Sequence, residues 1–331
     1  MSEKPIDVLA IGNAIVDVIA NADDAFLQRH GMTKGAMRLI DADEAERLYA
    51  DMGPGREISG GSAGNTAAGI AALGGRAAFV GQVAEDELGD IYRHDIESLG
   101  IQFLVPPRGD VGPTARSLIL VSPDAQRTMN TFLGAAQKLD RGAIHSDAIA
   151  RSQMIYLEGY LWDPEGPRAA METAIDMARS AGTKVAFTLS DTFVVDRHRE
   201  DFQRLMNQGK IDILFANEVE ILHLARETDL QAAIAAVSPK VPTLVVTRSE
   251  HGAIACSGDE RAEVRAEPIE RLVDTTGAGD LFAAGFLVGQ ARRRPLEQSL
   301  RLGAIAASEV IQHYGARPEL DLAALAAPLL A

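Results

Sequence analysis

Short apolar runs alternate with longer stretches of helical period along most of the chain. Residues 8–11, 77–81, 154–158, 184–189, 213–216 and 244–247 are the apolar runs, and their brevity and continuity predict strands buried on both faces. Between them, 65–73, 86–99, 166–181, 201–208 and 218–226 carry helical spacing, and Gly74, Gly100 and Gly182 stand after three of these stretches as C-terminal stops. Strand and helix in alternation predict an α/β fold whose central, mainly parallel sheet is covered by helices. Two segments break the alternation, about 16–58 and 101–133. There β-branched and polar residues alternate around turns such as Pro106-Pro107 and Pro123-Asp124, which predicts a small β appendage. No repeat, low-complexity tract or composition shift marks a second independent unit, so 1–331 is expected to form a single domain.

Composition narrows the classes of function. A chain of 331 residues, 47% hydrophobic, can bury one large core, and a net charge of -15 repels phosphate backbones, so a nucleic-acid partner is not expected. Cys256 is the single cysteine, which excludes an intrachain disulfide and fits a reducing, cytoplasmic setting. The start of the chain, residues 1–5, is polar and carries no export signal, and the longest apolar run, 281–288, falls far short of the roughly 20 residues that cross a bilayer. No membrane partner is expected. The seven histidines, His198, His223 and His251 among them, lack the paired spacing of a metal site.

The stretch richest in chemistry is Asp274-Thr275-Thr276-Gly277-Ala278-Gly279-Asp280, followed at once by the apolar run Leu281-Phe282-Ala283-Ala284-Gly285-Phe286. Glycines there let successive amides converge at a helix start, where the dipole also favours an anion. Asp280 could instead simply cap that helix, but two carboxylates flank the turn and only one residue can occupy a cap. A second group, Asn217-Glu218-Val219-Glu220, has the spacing of a capping box as well as the chemistry to meet a hydrated cation. The run 244–253 reads as strand, turn, strand around Thr247 and Gly252.

The segment from Asp274 to Phe286 strongly resembles the C-terminal signature of the ribokinase-like family of carbohydrate and purine kinases, and the resemblance extends over nearly the whole chain. A second family motif, Gly60-Gly61-Ser62-Ala63-Gly64-Asn65, stands in the expected N-terminal half. Gly12-Asn13-Ala14-Ile15-Val16-Asp17 and Arg127-Thr128-Met129-Asn130 look most like the adenosine-kinase branch. The resemblance implies a three-layer α/β/α sandwich with a small β-sheet lid formed by the segments 16–58 and 101–133. It also implies ATP and Mg²⁺ as cofactors and a nucleoside or sugar as acceptor. Asp280 would be the catalytic base and the Gly277, Ala278 and Gly279 amides an anion hole; Asn13, Asp17, Gly61 and Asn65 would hold the acceptor. Asn217, Glu220, Thr247 and Gly252 would serve ATP, with Glu220 meeting Mg²⁺ through water, and Arg127 would approach the γ-phosphate as the lid closes. Asp274, Thr276 and Gly315 match residues that can bind K⁺ in the family. At the start of a helix, the dipole is expected to depress the pKa of Asp280, leaving alignment of the hydroxyl as its main task.

Adenosine leads as acceptor, with another purine nucleoside, ribose or a fructose-like sugar as alternatives. A dinucleotide-binding oxidoreductase is disfavoured because Phe282 falls where the glycine fingerprint requires a small residue. No Walker A motif occurs. A non-catalytic nucleoside sensor on the same fold would not need Asp280. The chain is expected to be a monomer or a homodimer, since an exposed lid sheet could pair with a second copy.

Overall fold

The computed structural model describes residues 4–124 and 126–330; the first three residues of the polar N-terminal stretch and the last residue of the alanine-rich tail lie outside them. Fourteen strands are formed among the described residues: β1 Ile6–Ile11, β2 Ile15–Asn21, β3 Met37–Leu39, β4 Arg56–Gly60, β5 Ala77–Val80, β6 Gln102–Phe103, β7 Ala115–Val121, β8 Arg127–Phe132, β9 Ser152–Glu158, β10 Lys184–Thr188, β11 Ile213–Asn217, β12 Thr243–Thr247, β13 Ala253–Ser257 and β14 Glu260–Val264. Nine of them make one sheet in the order β14-β13-β12-β11-β10-β9-β1-β5-β6. It is parallel from β6 to β12, and only β13 and β14 run antiparallel.

The buried runs act as read from the sequence. Along β1 and β9, Val8, Ala10, Met154 and Tyr156 join one apolar layer, while Leu9, Ile11, Ile155 and Leu157 join the other. Helices cover both faces. Ser62–Ala72, Ala278–Ala291 and Leu296–Val310 pack on the first, and Glu165–Ala181, Thr192–Asn207 and Glu218–Ala225 on the second. The result is an α/β/α sandwich with a second, smaller sheet ordered β3-β8-β7-β2-β4.

The structure departs from the sequence reading in several places: the segment 16–58, expected to be β, also holds the helices Asp24–Arg29 and Ala42–Asp51, and the elements expected at 8–11, 65–73 and 154–158 begin two or three residues early. The helix expected at 201–208 begins nine residues earlier, at Thr192, where Asp191 caps it by accepting from Phe193 N. Its first half hides because a polar run from Asp196 to Asp201 separates Val194 and Val195 from Phe202, Leu205 and Met206, and His198 breaks the helical backbone between them. In addition, the 101–133 segment does not go entirely to the smaller sheet: β6 pairs with β5 at the edge of the main one. No helix among the described residues is long and apolar enough to cross a membrane.

The strand order reverses beside β1: β5 and β6 extend the sheet one way, and β9 to β12 the other. Loops leaving the carboxyl ends of β1 and β9 part there, which opens a crevice at a topological switch point. Both sheets bound it, because β2 follows β1 after only three residues and enters the smaller sheet.

Candidate active site

A cavity of about 910 Å³ occupies that crevice. Its wall is built from the ends of strands: Asn13 after β1, Glu158 at the end of β9, Thr188 of β10, Asn217 of β11 and Thr247 of β12. Across from them lies the turn before the helix Ala278–Ala291. Gly277 occupies the cap position of that helix with φ 79°, and a side chain there would run into Ala316. Only glycine tolerates that geometry cheaply. Gly279, one turn-step further on, faces open space with nothing within 4 Å of where a Cβ would stand, so the helix start is left bare toward the cavity.

Asp280 is therefore not a cap. It sits in the first turn and points to the second helix start, where Ser62 Oγ donates to its Oδ1 at 2.6 Å and Asn65 Nδ2 to its Oδ2 at 2.9 Å. The expectation of a depressed pKa fails here. Burial dominates and raises the carboxyl above its ordinary range, opposed by the two donors and by the positive charge of Arg317. Such a group is a better base than a solvated helix-start aspartate would be.

The opposite wall begins with Gly61, whose φ of 81° turns the chain into the helix Ser62–Ala72 while its missing Cβ leaves room for Asn13 O. Asn13 is fixed by Glu158, which accepts from Asn13 N at 2.8 Å and also from Asn13 Nδ2. The other Glu158 oxygen accepts from Ala63 N at 2.7 Å. Burial pushes the Glu158 carboxyl up to about 7, against the pull of those donors. Asp17 faces the cavity from β2. Its carboxyl is pushed up to about 6, first by burial and then by the nearby charges of Asp280 and Asp274, with Arg317 and Arg127 opposing.

Asn217 and Glu220 form the capping box: Asn217 Oδ1 accepts from Glu220 N at 2.8 Å, and Glu220 Oε2 accepts from Asn217 N at 3.0 Å. Glu220 nonetheless lines the cavity, and burial pushes it up to about 7. Among the described residues no cluster of three or more His, Cys, Asp or Glu stands ready for a metal. A buried carboxylate without a cation beside it suits a hydrated Mg²⁺ that arrives with nucleotide phosphates and is met through water.

Asn13, Asp17, Gly61, Asn65, Asn217, Glu220, Thr247, Thr276, Gly277, Gly279 and Asp280 thus line one cavity. Ala278, between Gly277 and Gly279 at the same helix start, is not in the lining. Gly252 does not line the cavity; its φ of 82° shapes the β12–β13 turn that follows Thr247, and a side chain would collide with the backbone of Val264 and Arg265. Arg127, which the resemblance brings to the γ-phosphate as the lid closes, is bound in this structure to Asp274, which also accepts from Gly315 N at 2.9 Å.

Three residues escaped the sequence reading. Glu158 could have been found as an acid ending an apolar strand. Ser190, in the cavity wall with φ 70°, left no sequence signal. Arg317 follows Gly315-Ala316 and donates to Ser59 O, Ser59 Oγ and Gly64 O, tying β4 to the helix that carries Asn65.

The model of the pfkB family of carbohydrate kinases matches residues 7–322. An adenosine kinase from Sinorhizobium meliloti is 49% identical with a TM-score of 0.90, covering 98% of this chain and 99% of its own. A probable sugar kinase from Rhizobium etli CFN 42 is 48% identical with a TM-score of 0.91 and the same coverage. A 5-dehydro-2-deoxygluconokinase from Geobacillus kaustophilus is 26% identical over 322 residues, covering 94% of this chain and 90% of its own.

Proposed function

The chain belongs to the pfkB family of carbohydrate kinases, and on that premise we propose that it uses ATP to phosphorylate the 5′-hydroxyl of a nucleoside, with adenosine the first candidate. The observation that carries this reading is the meeting of Asp280, held by Ser62 and Asn65, with the bare helix start at Gly277 and Gly279 in one cavity. In it, Asp17 and Asn65 hold the vicinal hydroxyls of the acceptor, and Asp280 aligns the attacking oxygen and takes its proton. The Gly277, Ala278 and Gly279 amides receive charge from the migrating phosphoryl group. Thr247 and the Asn217 turn serve the nucleotide. Bound magnesium, met by Glu220 through water, would neutralise phosphate charge.

A flat, apolar base rather than a bare sugar is favoured by the roof. Met37 and Leu39, 50% and 63% exposed on β3, face the cavity together with Met129 and Leu133, while Tyr160 and Phe193 stand on its other side. Such a surface offers a sugar few hydrogen bonds, whereas a heteroaromatic ring buries its faces there. The smaller sheet then acts as a lid on the acceptor.

A screen of ADP release over nucleosides and sugars with Mg²⁺ tests the reading, adenosine being expected to give the highest kcat/KM. Phosphorylation of sugars alone would refute the nucleoside assignment and leave the kinase standing. The Asp280→Asn variant is expected to lose about 10²- to 10⁴-fold in kcat while still binding ATP. Unchanged turnover would remove Asp280 from the chemistry.

A further inference from the structure

Arg127 opens β8 of the smaller sheet, yet its guanidinium ends against Asp274 of the main body, both side chains being almost closed to solvent at 9% and 7% exposure. Nη1 donates to Asp274 Oδ2 and, at 3.1 Å, to Thr276 Oγ. The remaining capacity of that carboxylate is also taken. Oδ2 accepts from Gly315 N at 2.9 Å, and Oδ1 accepts from Thr276 N at 3.0 Å and from Thr276 Oγ at 2.7 Å. Two oxygens offer about four acceptor sites, and four donors fill them. The Thr276 hydroxyl is engaged as well, donating to Asp274 and accepting from Arg127. The Tyr314 ring lies 5.9 Å from the guanidinium.

The residues the family resemblance would assign to a potassium ion do not fit one in this arrangement. A monovalent cation needs oxygens turned toward it, but here Gly315 and Thr276 turn N–H and O–H groups toward the carboxylate. A full positive charge already stands at the carboxylate, and a second cation in the same nearly closed place would meet it at short range and low dielectric.

We infer that Arg127 is the standing counter-ion of Asp274 and takes the place of a monovalent cation, so that the kinase reaction proposed above, on which this inference rests, proceeds without K⁺. Arg127 is then a positioning residue: it fixes Asp274 and Thr276, and through them the turn that leads to Gly277. The charge arrives on a strand of the smaller sheet, so the anion turn is neutralised by the protein's own chain.

Wild type is assayed for ADP release at constant ionic strength in N-methylglucamine chloride and in KCl, beside Arg127→Gln and Arg127→Lys, and the melting midpoint of each is taken in both salts. Wild type is expected to differ by less than about twofold in rate between the salts and to melt alike in both. Arg127→Gln is expected to be slow in N-methylglucamine and to gain about tenfold or more in KCl, with a melting midpoint raised by K⁺, because a cation that binds the folded state alone stabilises it. Arg127→Lys, which keeps a charge, is expected to need no K⁺. Strong K⁺ activation or K⁺-dependent melting of wild type would overturn the inference, as would indifference of Arg127→Gln to K⁺ in both readouts. Lack of turnover by wild type in either salt would count against the kinase reading alone, and the melting comparison would still decide the counter-ion.

Discussion

Replacing Ser62 by alanine should change how acid the solution can be before the enzyme stops. Asp280 has two donors from protein side chains, Ser62 at 2.6 Å and Asn65 at 2.9 Å, and both favour its ionised form. A hydrogen bond to a charged group contributes about 1.5–3 kcal/mol. The loss of Ser62 should therefore make the ionised form of Asp280 about tenfold less favoured and raise its pKa further. The sign is fixed: burial already pushes this carboxyl up, and removing an opposing donor pushes it further. The assay is the pH profile of kcat/KM for ATP at saturating acceptor, which keeps Asp17 occupied and out of the titration. The acid limb is expected to move to higher pH, making the variant about tenfold slower on the limb, while the two curves converge on the alkaline plateau. A limb that stays in place or moves down would refute the idea that Ser62 keeps Asp280 ionised.

Other expectations follow from the same cavity. Asp17 lies at about 6 because of burial, so acceptor KM should rise by about tenfold per unit as pH falls below that value, and Asp17→Asn should raise KM and abolish the dependence. The stability contribution of Asp17 runs the other way: the protonated form is favoured by folding, so it is present below the ordinary carboxylate range and lost as pH rises through about 6, which thermal melts of the unliganded protein can read. Asn217→Ala removes a cap and should cost about 1 kcal/mol in a denaturant titration, together with a higher KM for ATP; a change in stability alone would reduce the Asn217 turn to a helix start. Gly252→Ala should destabilise the protein while leaving KM for ATP within about twofold once folded, since Gly252 is absent from the cavity wall.

The parallel sheet was readable because strands buried on both faces must be continuously apolar, as 154–157 and 213–216 are. The two helix starts at Gly61 and Gly277 were readable for another local reason, since a turn that needs positive φ must spend a glycine. What the chain hid depends on distance. Asp280 meets Ser62 and Asn65 across more than two hundred residues, and the sign of its pKa shift follows from that burial rather than from its place on a helix. Glu158 was visible as the last residue of a strand, but its grip on Asn13 and Ala63 was not. Arg127 was drawn toward the phosphates by analogy, while the partner it takes here, Asp274, lies 147 positions away. Gly252 carried a local signal for the positive φ that its turn requires.

The smaller sheet is woven from two separate excursions of the chain, β2 to β4 and β7 to β8, and the pairing of β2 with β7 stitches them together residue by residue from Ile15–Ala115 to Asn21–Val121. Recombination between relatives that exchanged only one excursion would place a foreign strand along that seam. A change of acceptor preference by swapping segments therefore calls for both pieces to be inherited together, whereas point changes at Met37, Leu39, Met129 or Leu133 can retune the roof one side chain at a time.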